Sequence, residues 1–208
     1  MKKNKTYVGI MKIHKEISEK KLKEEMQKFI GKIMQLPPVK SRVKREIRER
    51  EVYSWEILEF DIENKEVLFE CEVEAGTYIR KICSDLGLKI GGAHMIELRR
   101  TKAGIFEETD SINLYELEKI KNNEQELRKK IIPGEIIIKL LPIVQVKDDE
   151  KIIKQLLTGK PIFKKDLAGE LKIKDNEDFC VFSGDKFTGV YKKVSEGDII
   201  GRAEFVFN

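Results

Sequence analysis

The sequence predicts a fold of mixed helices and strands, the α+β class, that ends in a small β-barrel. Between Phe69 and Glu74, apolar residues alternate with glutamates, which is the period of a half-buried strand. The apolar residues that follow, from Ile79 to Leu86, stand at helical spacing. From Phe179 onward, short apolar strands are separated by tight turns rich in glycine and aspartate. That last pattern is typical of small barrels.

Length and composition limit the possible classes of protein. The 208 residues allow one large domain, or a modest domain followed by a small one. The formal charge is only +4, so a basic surface for a nucleic acid would have to be a local patch. The three cysteines are far apart and odd in number, which argues against a disulfide framework or a zinc site. With no signal peptide or apolar membrane span in view, we expect a cytoplasmic protein.

The N-terminal part of the chain predicts a strand and then a helix. Residues Lys5 to Met11 have the pattern of a strand, with Tyr7 near its start, where a tyrosine is most often a packing residue. Ser18 is a typical N-cap, and apolar residues recur at helical spacing as far as Ile33. Gly31 would lie near the C-terminal end of that helix.

The helix that begins at Ile79 contains the first candidate functional residue. Gly87 is expected to close this helix, and a strand containing Leu98 is expected to follow. Arg80 falls in the first turn, where a cation opposes the helix dipole by up to about 1 kcal/mol. The position therefore favours a carboxylate or phosphate opposite the guanidinium, although on the pattern alone a solvated arginine is the more common case.

A change in composition indicates a domain boundary. The chain becomes polar between Glu107 and Gly134, and the pattern beyond it is a short helix from Asp149 to Leu157 followed by short strands. We predict two domains, with residues 1–138 in the first and residues 139–208 in the second.

Four short motifs occur in order: Gly76-Thr77-Tyr78-Ile79-Arg80, Asp85-Leu86-Gly87, Gly91-Gly92-Ala93-His94-Met95 and Leu98-Arg99-Arg100. Together they closely resemble the core of the TruB and dyskerin family of RNA pseudouridine synthases. The resemblance implies an incomplete synthase domain, with a mixed, largely antiparallel sheet and flanking helices. It also implies that the barrel is a PUA domain, an RNA-binding module. No insertion follows the segment Pro37-Pro38-Val39-Lys40-Ser41, so the chain most resembles the archaeal box H/ACA catalytic subunit.

The same resemblance implies roles for single residues. Tyr7 would stack on the target uracil and share in proton transfer, Arg80 would hold a catalytic aspartate, and Leu98 would form a wall of the uracil pocket. Four further residues are expected to contact RNA: Lys40, Lys44, Arg45 and Tyr78. The family needs neither a metal nor an organic cofactor.

The family's catalytic aspartate lies in a glycine-rich loop upstream of the tyrosine strand, and the chain begins almost at that strand. The segment Gly184 to Gly189 looks superficially similar, but it falls in a predicted hairpin turn. We therefore expect the chain alone to be inactive, and we expect a complementary N-terminal polypeptide to supply the aspartate and to cover an exposed sheet edge. The other implied partners are a guide RNA, a substrate rRNA or tRNA, and small accessory proteins of the particle.

Two further hypotheses remain open at this point. The chain could be a non-catalytic RNA-binding member of the family that has kept the barrel and the basic segment. Tyr7, Arg80 and Leu98 argue against this, because binding alone would not require them at their family positions. An unrelated hydrolase or nuclease is the third hypothesis, and no paired carboxylate, metal-ligand or Ser-His pattern supports it.

Overall fold

A computed structural model describes residues 4–38 and 44–206. The chain forms two compact units, Met1–Asn113 and Leu114–Asn208. The domain boundary predicted between residues 138 and 139 lies inside the second unit, and it stays a prediction.

The first unit is built on a six-stranded sheet in the order β2-β3-β4-β1-β5-β6. Its strands are β1 (Lys5–Ile13), β2 (Gly31–Gln35), β3 (Arg48–Asp61), β4 (Glu66–Val73), β5 (Ala93–Ala103) and β6 (Phe106–Glu107). All the pairings in this sheet that the described residues form are antiparallel. The unit ends with a 3-10 turn, Glu108–Asp110.

Helix α1 (Glu19–Gln27) begins as predicted and ends earlier than predicted. The Ser18 hydroxyl accepts a hydrogen bond from the Lys21 backbone N–H at 3.3 Å, which caps the helix. The prediction that the helix continues to Ile33 is wrong. Gly31 has a φ of +96°, outside the helical region, and from there the chain pairs with β3 as strand β2.

Helix α2 (Ile79–Ile90) also begins where the sequence predicts. Gly87 does not close it, and the helix ends instead at Gly91, which is in the left-handed conformation with φ +89°. A Cβ atom at Gly87 would lie 2.4 Å from the Ala93 backbone nitrogen. The glycine at 87 thus allows α2 to pack closely against the start of β5.

The core of the first unit lies on one face of its sheet. Side chains of β1 and β4, among them Met11 and Phe69, pack with Ile82 and Leu86 of α2 and with Trp55 of β3, all of them buried. Helix α1 adds Leu22 and Met26 to the same cluster. The sheet is therefore covered on this face by both helices.

The second unit contains a five-stranded sheet in the order β7-β9-β10-β11-β8, in which only the β7–β9 pair is parallel among the described pairings. The strands are β7 (Ile143–Val146), β8 (Ile162–Phe163), β9 (Asp178–Ser183), β10 (Lys186–Glu196) and β11 (Ile199–Val206). The helices are α3 (Leu114–Ile120), α4 (Glu124–Lys130) and α5 (Glu150–Leu157), with 3-10 turns at Gly134–Lys139 and Lys164–Asp166. The predicted helix after Asp149 is confirmed, since that side chain caps α5.

Strand β9 is buried on both faces. Phe179 and Val181 belong to one apolar cluster, and Cys180 and Phe182 belong to another. The segment after β8 also bonds to β7, since the Ala168 N–H donates to the Gln145 carbonyl at 3.0 Å. The polypeptide thus links the two ends of this sheet.

Within the described residues, no helix has the length and apolar character needed to cross a membrane.

Candidate functional site

Two of the predicted catalytic residues lie on neighbouring strands and on the same face of the first sheet. In the β1–β5 pair, Tyr7 is opposite Arg100 and Gly9 is opposite Leu98. Directly opposed residues of antiparallel strands point to the same face. Tyr7 packs against the buried cluster described above, so this shared face is the one that the helices cover.

Gly9 is the residue that brings Leu98 close to the middle of this face. A Cβ atom at position 9 would lie 2.7 Å from Phe69 Cζ and 3.0 Å from Leu98 Cδ1. Both contacts are too short for a side chain, so only glycine leaves room for them. Leu98 therefore lies over β1 beside Tyr7, and it remains 39% exposed.

Chain topology brings Arg80 to the same end of the sheet as Tyr7. Strand β4 ends at Val73, opposite Lys5, and only five residues separate it from the start of α2. The other end of α2 lies against Ala93, which pairs with Ile13 at the far end of β1. The first turn of α2 and the start of β1 are therefore at one end of the sheet, where Tyr7 and Arg80 lie.

The turn before α2 is fixed by a buried glutamine. The Gln35 side chain is 2% exposed and accepts a hydrogen bond from the Tyr78 N–H at 3.0 Å. Its own amide donates to the Tyr78 carbonyl at 3.3 Å. The Thr77 hydroxyl donates to the Glu74 carbonyl at 2.7 Å within the same turn. Because Tyr78 is the N-cap residue of α2, these bonds set the position of the helix start and of Arg80.

Two exposed arginines, Arg80 and Arg100, make the site electropositive where it faces solvent. Arg80 is exposed, and the first turn of α2 contains no acidic residue. None of the ion pairs formed within residues 4–38 and 44–206 includes Arg80, whereas the neighbouring Lys81 pairs with Asp85. Arg100 adds a second exposed cation beside Tyr7. This arrangement suits a negatively charged group, a carboxylate or a phosphate.

Two buried cysteines lie beneath the site. Burial raises the pKa of Cys71, which is opposite Tyr7, to about 12, and burial raises the pKa of Cys83 to about 12 as well. Both stay protonated thiols at neutral pH, so neither is a candidate nucleophile.

The predicted RNA contacts differ in how the structure places them. Lys40 lies outside the described residues. Lys44 is exposed and pairs with Glu46, and Arg45 is exposed. Tyr78 is half-buried, and its backbone is held by Gln35. Contact with RNA by these residues stays a prediction.

Sequence reasoning missed three residues of the site. Arg100 was visible in the Leu98-Arg99-Arg100 motif, but only the strand register shows that it stands opposite Tyr7. Gln35 precedes a pair of prolines, and nothing local indicates its bonds to a residue 43 positions away. Arg50, whose guanidinium would lie 3.3 Å from a Cβ at Gly76, also has no local signal.

Comparison with known families gives the class of protein. Residues 2–79 match the model of the TruB family pseudouridylate synthase N-terminal domain, and residues 80–139 match that of the tRNA pseudouridylate synthase B C-terminal domain. The chain therefore belongs to the TruB family of pseudouridine synthases.

Several similar proteins are named probable tRNA pseudouridine synthase B. The chain is 46% identical to the protein of Methanosarcina barkeri over 151 residues, which cover 69% of this chain and 44% of that protein. It is 42% identical to the protein of Nanoarchaeum equitans, covering 69% of this chain and 43% of that protein. The matched segment thus spans less than half the length of these relatives.

Solved structures give the particular branch that the chain resembles. A chain of a Cbf5-Nop10-Gar1 complex matches with a TM-score of 0.80 and 34% identity, covering 99% of this chain and 67% of that one. A chain of an H/ACA ribonucleoprotein bound to a substrate RNA containing 2'-deoxyuridine matches with a TM-score of 0.77 and 32% identity, covering 99% and 66%. The predicted resemblance to the archaeal H/ACA branch of the family is confirmed.

Proposed function

We propose that this chain is one part of an RNA pseudouridine synthase whose catalytic aspartate comes from another polypeptide. The observation that carries the proposal is that Tyr7 and Leu98 lie on one face of a single sheet, and that the helix start bearing Arg80 lies at the same end of that sheet as Tyr7. An exposed arginine, an aromatic ring and an apolar side chain in one region of the sheet suit what the reaction needs.

The reaction converts uridine to pseudouridine by breaking the glycosidic bond, rotating the freed base and rejoining it through carbon. The base must leave the RNA stack, and stacking on an aromatic ring offsets part of that cost, at about 1 to 3 kcal/mol per base. Tyr7 is the residue for this contact, and Leu98 closes the apolar side of the pocket. Arg80 holds the incoming aspartate by charge-assisted hydrogen bonds. We propose that Arg100, which stands opposite Tyr7, binds a phosphate of the flipped nucleotide.

The second unit would provide the RNA-binding function as a PUA domain. Its sheet with linked ends and its two apolar clusters suit a small barrel that presents one surface to RNA. We propose that the unit binds a box H/ACA guide RNA, and that the guide selects the uridine in rRNA or tRNA. Small accessory proteins of the particle would complete the assembly, as Nop10 and Gar1 do in the solved complexes. Cytoplasmic location is proposed on the three free, buried cysteines, which suit a reducing compartment.

The test is affinity purification of the tagged chain from its native cell, with identification of the bound polypeptides and sequencing of the bound RNA. We expect a polypeptide with a glycine-rich aspartate loop, together with hairpin guide RNAs. The purified assembly should convert uridine to pseudouridine, and the chain alone should not.

The alternative function is non-catalytic RNA binding by a member of the family without the aspartate. Recovery of RNA in the same purification, with no aspartate-loop polypeptide and no pseudouridine formed, would favour this alternative. The enzymatic proposal would then fail.

A further inference from the structure

The two histidines of the chain, His14 and His94, face each other on the surface of the first unit. They are 80 residues apart in sequence, and strand pairing brings them together, because His14 follows the last residue of β1 and His94 is the second residue of β5. The His14 Nε2 and His94 Nδ1 atoms are 2.7 Å apart, and the ring centres are 4.9 Å apart. Both side chains are exposed, so an ion in solution can reach them.

The turn before β5 holds His14 in this position. The His14 N–H donates to the Gly92 carbonyl at 3.0 Å. A Cβ atom at Gly92 would lie 2.4 Å from His14 Nδ1, so only glycine leaves room for the imidazole ring. Gly92 also has a φ of +124°, which glycine adopts far more readily than other residues. The backbone therefore sets the two rings side by side before any ligand binds.

The spacing of the two nitrogens is close to that of two ligands on one metal ion. Bonds from a metal to imidazole nitrogen are about 2.0–2.1 Å long, so two such nitrogens are about 2.9 Å apart at a right angle and about 3.3 Å apart in a tetrahedral site. The observed 2.7 Å needs an opening of only about 0.2 to 0.6 Å between two exposed rings. The hydrogen bond that the ion would replace contributes about 1 kcal/mol net.

We propose that His14 and His94 together bind a divalent transition-metal ion such as Zn²⁺, Ni²⁺ or Cu²⁺. Imidazole nitrogen suits these ions, whereas Mg²⁺ and Ca²⁺ prefer oxygen ligands. Each ring must present an unprotonated nitrogen to the metal. The proton that lies between the two rings therefore moves to the other nitrogen of its own ring, and both rings stay neutral.

The histidine pair supplies two protein ligands, and water completes the coordination. No group of three or more histidine, cysteine or carboxylate side chains that could hold a metal occurs within residues 4–38 and 44–206. A cavity of about 390 Å³ beside His14, lined also by Ser84 and by Gly91 and Gly92, leaves room for water ligands. The metal therefore keeps positions that exchange with solvent.

Two lysines lie near the pair, and neither prevents a cation from binding. Lys12 stands opposite His94 and pairs with Glu66 at 3.2 Å, which offsets its charge. Lys15 is exposed, so water screens its repulsion of the ion. Removal of the Lys15 ammonium should leave the affinity unchanged or raise it slightly.

The histidine pair lies at the other end of β1 from Tyr7, and the site is independent of the proposed function. The ion would join the chain that follows β1 to the start of β5. Unfolding separates ligands that are 80 residues apart in sequence, so the metal binds the folded unit in preference to the unfolded chain. Metal binding should therefore stabilise the first unit.

The test measures Zn²⁺ binding to the untagged full chain by isothermal titration calorimetry, because a histidine tag would add ligands of its own. The three native cysteines are buried and do not compete for the ion. The variants are His14→Gln, His94→Gln and the double substitution, with Lys15→Ala as a matched control that changes a neighbour and removes no ligand. Circular dichroism checks that each variant is folded, and His94→Asn replaces His94→Gln if that variant is not.

We expect the wild type and Lys15→Ala to bind one ion, and each single histidine variant to bind at least about tenfold more weakly. The double variant should be only slightly weaker than the single variants, because the loss of either ligand already removes the chelate. Saturating Zn²⁺ should raise the urea midpoint of the wild type and of Lys15→Ala, and it should leave that of the histidine variants unchanged.

Zinc binding that survives either single histidine substitution would overturn the site, since the ion would then bind elsewhere. Losses that add up in the double variant would also overturn it, because they would indicate two separate one-ligand sites. A folded wild-type chain that binds no Zn²⁺ at millimolar concentration would contradict the proposal directly. Each of these outcomes leaves the proposed function, which the RNA purification tests, unaffected.

Discussion

Strand β5 of the first unit and strand β9 of the second unit differ sharply in burial. Strand β9 is buried on both faces between two apolar clusters, whereas β5 is exposed on both faces over five residues. Both strands carry large apolar side chains, but three of the five residues between Ile96 and Arg100 are charged, whereas the residues from Phe179 to Phe182 are all apolar. The second unit buries its apolar strand with its own residues, and the first unit leaves Ile96 and Leu98 exposed among charged side chains. Burial in each strand thus follows how many apolar residues the strand contains.

The largest expected effect is the difference in stability between two truncations, one in β9 and one in β5. Phe179→Ala removes a fully buried ring from β9 and should lower the free energy of unfolding by about 3–5 kcal/mol. Leu98→Ala on β5 should cost under about 1 kcal/mol in the free chain, because the side chain already contacts solvent. Urea titration followed by circular dichroism measures both. Similar losses of unfolding free energy in the two variants would contradict the difference in burial between β5 and β9.

A second prediction concerns the glutamine that fixes the start of α2. Gln35→Ala removes the bonds from this side chain to the Tyr78 N–H and C=O, although the C=O still accepts from the Lys81 and Ile82 N–H groups, and should cost about 1–3 kcal/mol. The matched change in the second unit, Gln145→Ala, removes one bond from an exposed side chain to the Gly184 carbonyl and should cost a few tenths of a kcal/mol. Chemical unfolding of both variants checks this. If the two costs were equal, Gln35 would not be the residue that positions the helix.

Alkaline pH should weaken both units. Burial raises the pKa of Cys71 and Cys83 from an ordinary 9.0 to about 12, and burial raises the pKa of Tyr191 from 10.0 to about 12. The unfolded chain loses these protons at lower pH than the folded chain does. Stability is therefore fully present below about pH 9 and is lost as the pH rises towards about 12.

The smallest expected effect separates the contribution of Tyr191 to the loss of stability at alkaline pH from the contribution of the two cysteines. Its hydroxyl donates to the Leu156 carbonyl at 2.9 Å, so Tyr191→Phe should cost about 1 kcal/mol at neutral pH. The variant should also lose less stability than the wild type between pH 10 and 12. Unfolding free energies measured at several pH values test this, and an unchanged pH dependence would contradict the assignment.

Local signals were sufficient for the elements that frame the site. The start of β1 and the start of α2 both follow from apolar periodicity, and the structure places them as predicted. The ends of the helices were harder, because Gly31, Gly87 and Gly91 look alike in sequence. Gly87 stays inside α2 because close packing against Ala93 excludes a side chain, whereas Gly91 ends the helix because of its left-handed backbone. Tertiary contact decides between these two uses of glycine.

The residues of the candidate site also fall into two groups, those that local motifs indicated and those that only long-range pairing reveals. Tyr7, Arg80 and Leu98 were proposed from short motifs, and strand register and chain topology bring them to one part of the sheet. Gln35 and Arg100 depend on long-range pairing, which no local pattern encodes. The exposure of Leu98 also depends on long-range packing, since an apolar residue of a strand is ordinarily expected on the covered face.

In the proposed function, Arg80 holds a catalytic aspartate that a second polypeptide supplies. The most direct measurement is the rate of pseudouridine formation by tagged assemblies that contain wild-type chain, Arg80→Ala, or the matched control Arg128→Ala, an exposed arginine of α4 that pairs with Glu124. With equal amounts of bound RNA and polypeptide, we predict that Arg80→Ala lowers the rate by about 100-fold or more, because the aspartate loses its cationic partner. Arg128→Ala should keep the wild-type rate. An Arg80→Ala assembly of normal composition that retained the wild-type rate would contradict the account.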